Sequence, residues 1–416
     1  MRIGIVTTWF ERGAAYVSRQ YRDVLEKQHD VFIYARGGEA YAVGNPSWDN
    51  ERVTWGKNPH IPVPHAIDLA DFENWITGNK LDVVFFNEQQ WWTPVLHCNQ
   101  LGVKTGGYVD YYTEETVPLF GCYDFLICNT RRHHSVFDWH PQAFYIPWGT
   151  DLGLFSPESF APATSGCVTF FNSGGVSPER KGTDLVIQAF AGLNGPARLV
   201  LHTQTNLKEF FPHLKEIIVD LESSGRLVCF EKTVPAPGLY HLGDVYVYPS
   251  RLDGIGLTIA EALACGLPVI TSDNPPMNEF IDQSNGRLAA VSRLFARADG
   301  YYWPQCMVEL NSLRECMQQY VDEVDRLIEL KQSARAYAET NLDWSKNAGD
   351  LSGLFERVNR RSTAEKLKPE QLAQAYESER LSFQQRLQLF SPGLFMSAHL
   401  MLRTAKKLGL VSEKPI

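Results

Sequence analysis

The sequence contains no run of about 18 consecutive apolar residues, the length a helix needs to cross a bilayer. Positive charge is also in deficit. Lys and Arg number 39 against 48 Asp and Glu, a formal net charge of -9. No overall positive field therefore exists to displace counterions from a nucleic-acid polymer, and such a polymer is excluded as the main partner. None of the eight cysteines belongs to a CxxC pair. In text such as FLIC and LVCF they read as small buried hydrophobes of a reducing compartment, which speaks against zinc ligation and a disulfide framework. No DxD sequence is present, in keeping with a site that holds no metal. No GxGxxG follows the first apolar run, which disfavours a dinucleotide oxidoreductase. The amino terminus, MRIGIVTTWF, carries one basic residue and a short β-rich run, and reads as a core strand, not a secretory signal. A cytoplasmic protein is expected.

What is present is an alternation of short apolar runs with helical text over 416 residues, 44% of them hydrophobic. That length exceeds what one core serves, so two domains are expected. Strands are predicted at Ile3 to Thr7, Val31 to Ala35, Val83 to Phe86, Thr105 to Val109 and Phe125 to Cys128. A second set follows at Val168 to Asn172, Arg198 to His202, Leu227 to Phe230, Val245 to Tyr248 and Val269 to Thr271. Strands alternating with helices build parallel sheets covered on both faces, and two doubly wound sheets carry their ligands beyond the carboxyl ends of the strands. The fold class is α/β, with two Rossmann-like domains facing a cleft.

The stretch Tyr248 to Ile281, YPSRLDGIGLTIAEALACGLPVITSDNPPMNEFI, sets an acid, two glycines, a helix start and a second acid at fixed spacing. Gly254 and Gly256, after Asp253, let the backbone approach a ligand closely. Leu257 to Cys265 continues as a helix, which Gly266 and Pro268 stop. A helix start offers unpaired N–H groups and positive dipole density, so a diphosphate is stabilised there without a metal. Glu261, about one turn further on, can reach a neutral diol.

This stretch resembles the acid, seven residues, acid motif of the retaining glycosyltransferases of family 4 (glycosyl transferases group 1), which have the GT-B fold and read close to PS..EGFGL...EA.A.G.PVI.S. Asp253 stands for the usual first Glu. Ile146 to Pro157, IPWGTDLGLFSP, resembles the family's interdomain segment IPNGVDLERFSP. Asn172 to Gly182, NSGGVSPERKG, resembles its second signature VGRLSPEKG, and Ala334 to Ser345, ARAYAETNLDWS, resembles its closing AR......FSW. The resemblance spans about residues 1 to 358. It implies an acceptor-binding domain over 1–155, a nucleotide-sugar-binding domain over 156–345, and a return of 346–360 to the first domain. The linker is expected near Ala143 to Ser165.

The resemblance also implies roles. Lys181 aligns with the lysine that offsets charge on the departing diphosphate, a preorganised cation where charge develops. The Arg that usually accompanies it is missing, since Gly175 and Val176 occupy its place; Arg180 or Arg251 could supply the second charge, or Lys181 works alone, and Lys181 with Arg180 as helper is the favoured arrangement. Glu261 would accept hydrogen bonds from the ribose hydroxyls and Asp253 would face the donor sugar. The amides of Gly254, Ile255, Gly256 and Leu257 would hold sugar and diphosphate, with a hydroxyl from Thr258. Glu279, in SDNPPMNEFI, would shape the far wall. Gly13 and Ala14 stand where the family has a glycine-rich turn near the donor phosphate or acceptor. Asp110, in GYVDYY, takes the place of a family histidine near the donor sugar, where it could position the acceptor or act as a base. The family chemistry is retaining, with same-face attack and the departing phosphate taking the proton.

A nucleoside diphosphate sugar, of UDP or GDP type, is thus the expected donor, with a glycan, lipid-linked or small-molecule acceptor, no cofactor and no metal. Trp91 and Trp92 could stack on sugars, but a core position at a helix start is the stronger reading. His133 and His134 lack a carboxylate or Cys at zinc-ligand spacing. Residues 361–416 extend beyond the resemblance as charged helical text. Leu394 to Val411 could form an amphipathic helix for self association, a partner, or the inner face of a membrane. Two other readings remain open. One is a related GT-B epimerase or phosphorylase. The other is a non-catalytic binding or scaffolding protein with a degenerate donor site.

Overall fold

The computed structural model describes residues 1–59, 63–157 and 166–380, together with 393, 397, 400 and 401. Most of 394–411, where the amphipathic helix is expected, and the end of the expected linker lie outside the described residues. The chain divides into two compact units. Unit 1 comprises Met1–Tyr108, Glu115–Leu126 and the chain from Phe355; unit 2 comprises Val109–Glu114 and Ile127–Leu354.

The first sheet contains β1 (Arg2–Thr7), β2 (Asp30–Ala35), β3 (Val53–Trp55), β4 (Val83–Phe86), β5 (Lys104–Tyr108), β6 (Phe125–Cys128) and β7 (Ala143–Tyr145). Its order is β3-β2-β1-β4-β5-β6-β7, and the pairings from β3 to β5 are parallel. VVFF of β4 is buried at every position, as expected of a strand covered by helices on both faces. The order reverses between β1 and β4. A crevice opens at such a reversal beyond the carboxyl ends of the strands.

Unit 2 is built on β8 (Val168–Gly175), β9 (Ala197–Thr203), β10 (Leu227–Glu231), β11 (Val245–Tyr248), β12 (Val269–Ser272) and β13 (Gly286–Ala289). They run in the order β10-β9-β8-β11-β12-β13, all parallel. Phe170, Leu199, Leu201, Val245, Val247 and Ile270 form the sheet's part of a core that the helices Thr183–Ala191 and Leu310–Asp322 cover. Here the reversal lies between β8 and β11. It brings the NSGGVSPERKG and LDGIG loops together.

The sequence reading missed β3 and β7, three-residue strands too short to show a period. It also missed β13 and an antiparallel hairpin, β14 (Val291–Phe295) and β15 (Gln305–Val308). Arg293 and Leu294 are exposed there, so no apolar run marks it. The strand expected over Thr105 to Val109 ends at Tyr108; Val109 instead begins the short segment that joins unit 2. The IPWGTDL text packs against the NLDW text as part of unit 2. Thr150 pairs with Asp343, and the Trp148 and Trp344 rings lie 4.9 Å apart.

Residues 363–380 pack on unit 1. The helix Thr363–Arg380 sends Lys366 to Asp124 at 2.6 Å with both side chains buried. Glu377 accepts from the Trp92 amide at 3.0 Å. Trp91 and Trp92 are core residues, 0% and 2% exposed, which answers the sugar-stacking alternative. No helix among the described residues is long and apolar enough to cross a membrane.

Candidate active site

The reversal point of unit 2 gathers most of the residues singled out in the sequence. Lys181 follows β8, and its Nζ lies 2.8 Å from Asp253 Oδ2 and within hydrogen-bond reach of the Tyr248 hydroxyl. That hydroxyl donates to the same carboxylate oxygen. The other oxygen, Oδ1, accepts from the Gly254 amide at 2.9 Å. Burial alone would raise Asp253, but Lys181 and Arg180 hold its carboxyl well below the usual range. Burial pushes Lys181 down to about 8, with Asp253 pulling against it. Lys181 therefore sits near the point where its charge changes.

Gly256, at φ 94, starts the helix Leu257–Ala264 from the left-handed region, where a side chain would be strained. Leu257 and Thr258 fill the first turn. One turn in, Glu261 Oε2 accepts from the Tyr240 hydroxyl at 2.5 Å. Burial raises Glu261 above the ordinary carboxylate value, while Tyr240 and Lys181 oppose that rise. A carboxylate, a cation and a helix start thus converge.

The arginine candidates separate. Arg180 Nη1 binds the Leu252 carbonyl at 2.8 Å and stands 3.8 Å from Asp253 Oδ2, with its side chain 38% exposed. Arg251 is buried, and both its terminal nitrogens grip Asp184, at 2.8 and 2.7 Å, while Nη1 also reaches the Glu179 carbonyl. The expectation that Arg251 could serve a diphosphate does not fit this geometry, because its guanidinium already neutralises Asp184. A Cβ at Gly175 would meet nothing within 4 Å, and Val176 beside it is exposed. The position of the missing family arginine is open space.

Asp110, although it follows β5 of the first sheet, belongs to unit 2. Its Oδ1 lies so close to Gly254 that a Cβ there would be 2.0 Å away. Only glycine fits. Glu279 accepts from the amides of Arg131 and Arg132 at 2.7 and 2.9 Å, so it caps the short helix Arg131–Val136.

Sequence reasoning missed the tyrosines. Tyr246 and Tyr248 alternate on β11 and stack at 5.6 Å, a period-two signal that could have placed Tyr248 on the site's face. Tyr240 lies in a short 3-10 turn, Tyr240–Leu242, which no pattern announces.

In unit 1, Gly13 and Ala14 open the helix Gly13–Leu25, and the Ala14 carbonyl accepts from Asn87 at 2.9 Å. A cavity of about 390 Å³ lies nearby, lined by Thr8, Arg12, Glu39, His65 and Glu88 among others, but not by Gly13 or Ala14. It sits beyond the carboxyl ends of β1, β2 and β4. Glu39 Oε2 and His65 Nδ1 are buried without a hydrogen-bond partner among the described residues. His65 and Glu88 have φ of 59 and 54, a conformation that costs about 1–3 kcal/mol outside glycine and clusters at ligand sites. No group of three or more His, Cys, Asp or Glu among the described residues is arranged to hold a metal.

Residues 168–299 match the model of the family described as glycosyl transferases group 1. The lipopolysaccharide core biosynthesis mannosyltransferase LpsB of Rhizobium meliloti (strain 1021) is 25% identical over 261 residues, 59% of this chain and 67% of that protein. Two solved structures superpose with a TM-score of 0.65: sucrose-phosphate synthase from Thermosynechococcus elongatus and Anabaena HepE in complex with UDP and glucose. They are 17% and 15% identical, cover 86% of this chain, and are themselves covered to 98% and 99%. At such identity the likeness speaks for the fold, two Rossmann-like units of the GT-B kind.

Proposed function

We propose that this GT-B glycosyltransferase of group 1 moves a sugar from a nucleoside diphosphate sugar to an acceptor hydroxyl with retention and without a metal. The observation that carries this reading is the placement of Lys181, Asp253 and Glu261 around one helix start at the β8/β11 reversal. Glu261 would accept the ribose hydroxyls in place of the Tyr240 hydroxyl. The amides from Gly254 to Leu257 would hold the diphosphate and sugar, and Arg180 would add the second positive charge from the rim.

In the proposed step the acceptor oxygen attacks the anomeric carbon on the face from which the diphosphate leaves. The carbon–oxygen bond to the phosphate breaks with its electron pair remaining on that phosphate, and the acceptor proton passes to the departing phosphate oxygen. Lys181 offsets the charge that develops there. Asp253, held by Lys181, Tyr248 and its own loop, orients the cation, and Asp110 faces the sugar end. No general base is then required. The cavity of unit 1 suits the acceptor, because sugar hydroxyls can donate to Glu39 Oε2 and His65 Nδ1, which have no hydrogen-bond partner among the described residues.

The solved neighbour with UDP and glucose supports a UDP-type donor, and the lipopolysaccharide relative supports a lipid-linked glycan as acceptor. A melting-temperature panel of uridine, guanosine and adenosine diphosphate sugars tests the donor, since a ligand at 100 times its dissociation constant adds about 2.7 kcal/mol. Hydrolysis of the stabilising sugar, followed by NMR, then gives the anomeric outcome. If no nucleotide sugar shifts the melting point, or Glu261→Ala and Lys181→Ala leave hydrolysis unaltered, the reading fails in favour of a non-catalytic protein.

A further inference from the structure

A chain of three hydrogen bonds crosses the interior of unit 2 and ends on the candidate donor loop. Trp303 Nε1 lies 2.6 Å from the Tyr112 hydroxyl, that hydroxyl lies 2.8 Å from His133 Nδ1, and His133 Nε2 lies 2.9 Å from the Gly254 carbonyl oxygen. Tyr112 and His133 are 0% and 1% exposed.

The two ends fix the direction of the outer bonds, and the charge of the ring fixes that of the middle one. A carbonyl oxygen only accepts, so His133 Nε2 carries a proton and donates to Gly254. An indole N–H only donates, so the Tyr112 oxygen accepts from Trp303. In a neutral ring with its proton on Nε2, Nδ1 is bare and accepts from the Tyr112 hydroxyl. Burial, followed by the neighbouring Arg132 guanidinium, holds His133 down to about 3 and keeps it neutral. Arg132 also lies over the Trp303 ring at 4.6 Å, which holds the Trp303 end of the chain in place.

Gly254 needs such an anchor. The Asp110 carboxylate leaves no room for a Cβ, and a glycine peptide turns over more easily than any other. In a planar trans peptide the N–H points opposite to the C=O. Fixing the Gly254 carbonyl on His133 therefore directs the Ile255 amide to the side away from His133.

We infer that His133 is a positioning residue for sugar transfer, the middle of a Trp303–Tyr112–His133 chain that sets the Gly254–Ile255 peptide against the donor. This rests on the donor role proposed for the Asp253 to Glu261 loop. His133 touches neither the reacting atoms nor Glu261, so its work is to keep a turning peptide in one orientation when charge develops on the donor.

The test compares wild type with His133→Leu, His133→Gln and Trp303→Phe, using UDP and GDP for binding and UDP-glucose and GDP-mannose for turnover. His133→Leu is expected to lower kcat by up to about 100-fold, the scale of a misplaced group near the chemistry, with nucleoside diphosphate affinity changed less than about twofold, within the error of a few tenths of a kcal/mol. His133→Gln supplies one donor and one acceptor and should recover part of that loss. Equal losses in affinity and kcat, or an unaltered kcat, overturn the inference.

Nitrogen-15 NMR of the wild-type imidazole reads the same chain without a variant. It should show a neutral ring protonated at Nε2 throughout about pH 5 to 8, the range where an ordinary histidine titrates. A titrating ring, or one protonated at Nδ1, overturns it, even if His133→Leu does not fold. Trp303→Phe removes only the terminal donor and should lower kcat in the same sense. If the wild type turns over neither donor, the donor reading fails while the imidazole spectrum still decides the hydrogen-bond chain.

Discussion

Lys181 Nζ and Asp253 Oδ2 lie 2.8 Å apart, although 72 residues separate them in the chain. The pair joins the loop after β8 to the loop after β11. It also makes the charge of Lys181 sensitive to everything around it, since the lysine is buried and Arg180 stands 3.8 Å from the same carboxylate oxygen.

The first consequence concerns pH. Lys181, pushed down to about 8, is charged below that value and neutral above it, and only the charged form offsets a departing diphosphate. kcat/KM should therefore fall as pH rises through about 8. Glu261, raised by burial, accepts hydrogen bonds from hydroxyls at both oxygens only when ionised, so activity should also fall on the acid side, at higher pH than for an exposed Glu. A bell-shaped kcat/KM profile checks both limbs. Lys181→Arg should remove the alkaline one, because a guanidinium stays charged there.

Glu261→Ala should weaken nucleoside diphosphate sugar binding by about 1.5–3 kcal/mol, the range for hydrogen bonds to a charged group. It also leaves the Tyr240 hydroxyl unpaired. Calorimetric titration measures the loss, and Tyr240→Phe, which leaves the carboxylate in place, should cost much less.

Gly254→Ala places a methyl group about where Asp110 Oδ1 now lies. Turnover should drop sharply, and Asp110→Ala combined with Gly254→Ala should restore more than the two separate effects predict. A double-mutant cycle on kcat/KM reads that coupling, expected at about 0.5–3 kcal/mol for residues in contact.

The two arginines should part company. Arg251→Ala removes one member of a buried pair and strands Asp184, which costs about 3–5 kcal/mol of stability. Arg180→Ala, on a side chain 38% exposed, should leave the denaturant midpoint nearly unaltered and lower kcat. Urea unfolding measured beside initial rates separates them.

Lys366→Met leaves Asp124 buried without its counter-charge and should destabilise unit 1 by about 3–5 kcal/mol. Asp124 also accepts from the Thr105 and Arg361 amides, at 2.8 and 2.7 Å, so the loss should spread to the sheet. Hydrogen exchange of β5 amides measures it. If that exchange stays unchanged, the helix Thr363–Arg380 does not support unit 1.

Much of the candidate donor site was legible because its parts are local. The turn at Gly254 and Gly256, the helix from Leu257 and the reach of Glu261 depend on interactions within a few residues, and such interactions leave a readable spacing. The alternation of apolar runs with helical text likewise announced parallel sheets. Arg251 was misjudged for the opposite reason. Its neighbours in sequence place it on the acid loop, but its partner Asp184 comes from the helix Thr183–Ala191.

The sequence by itself thus determined the two Rossmann-like units, the loop that carries Asp253 and the position of Glu261 on its helix. Only the tertiary structure decided that Arg251 pairs with Asp184, that Asp110 abuts Gly254, and that Trp303, 191 residues beyond Tyr112, reaches the Gly254 peptide through His133. Hydrogen bonds between distant segments have no period and no preferred spacing. They form where buried polar groups must find partners once the chain has collapsed, so they are written in the fold and not in the order of residues.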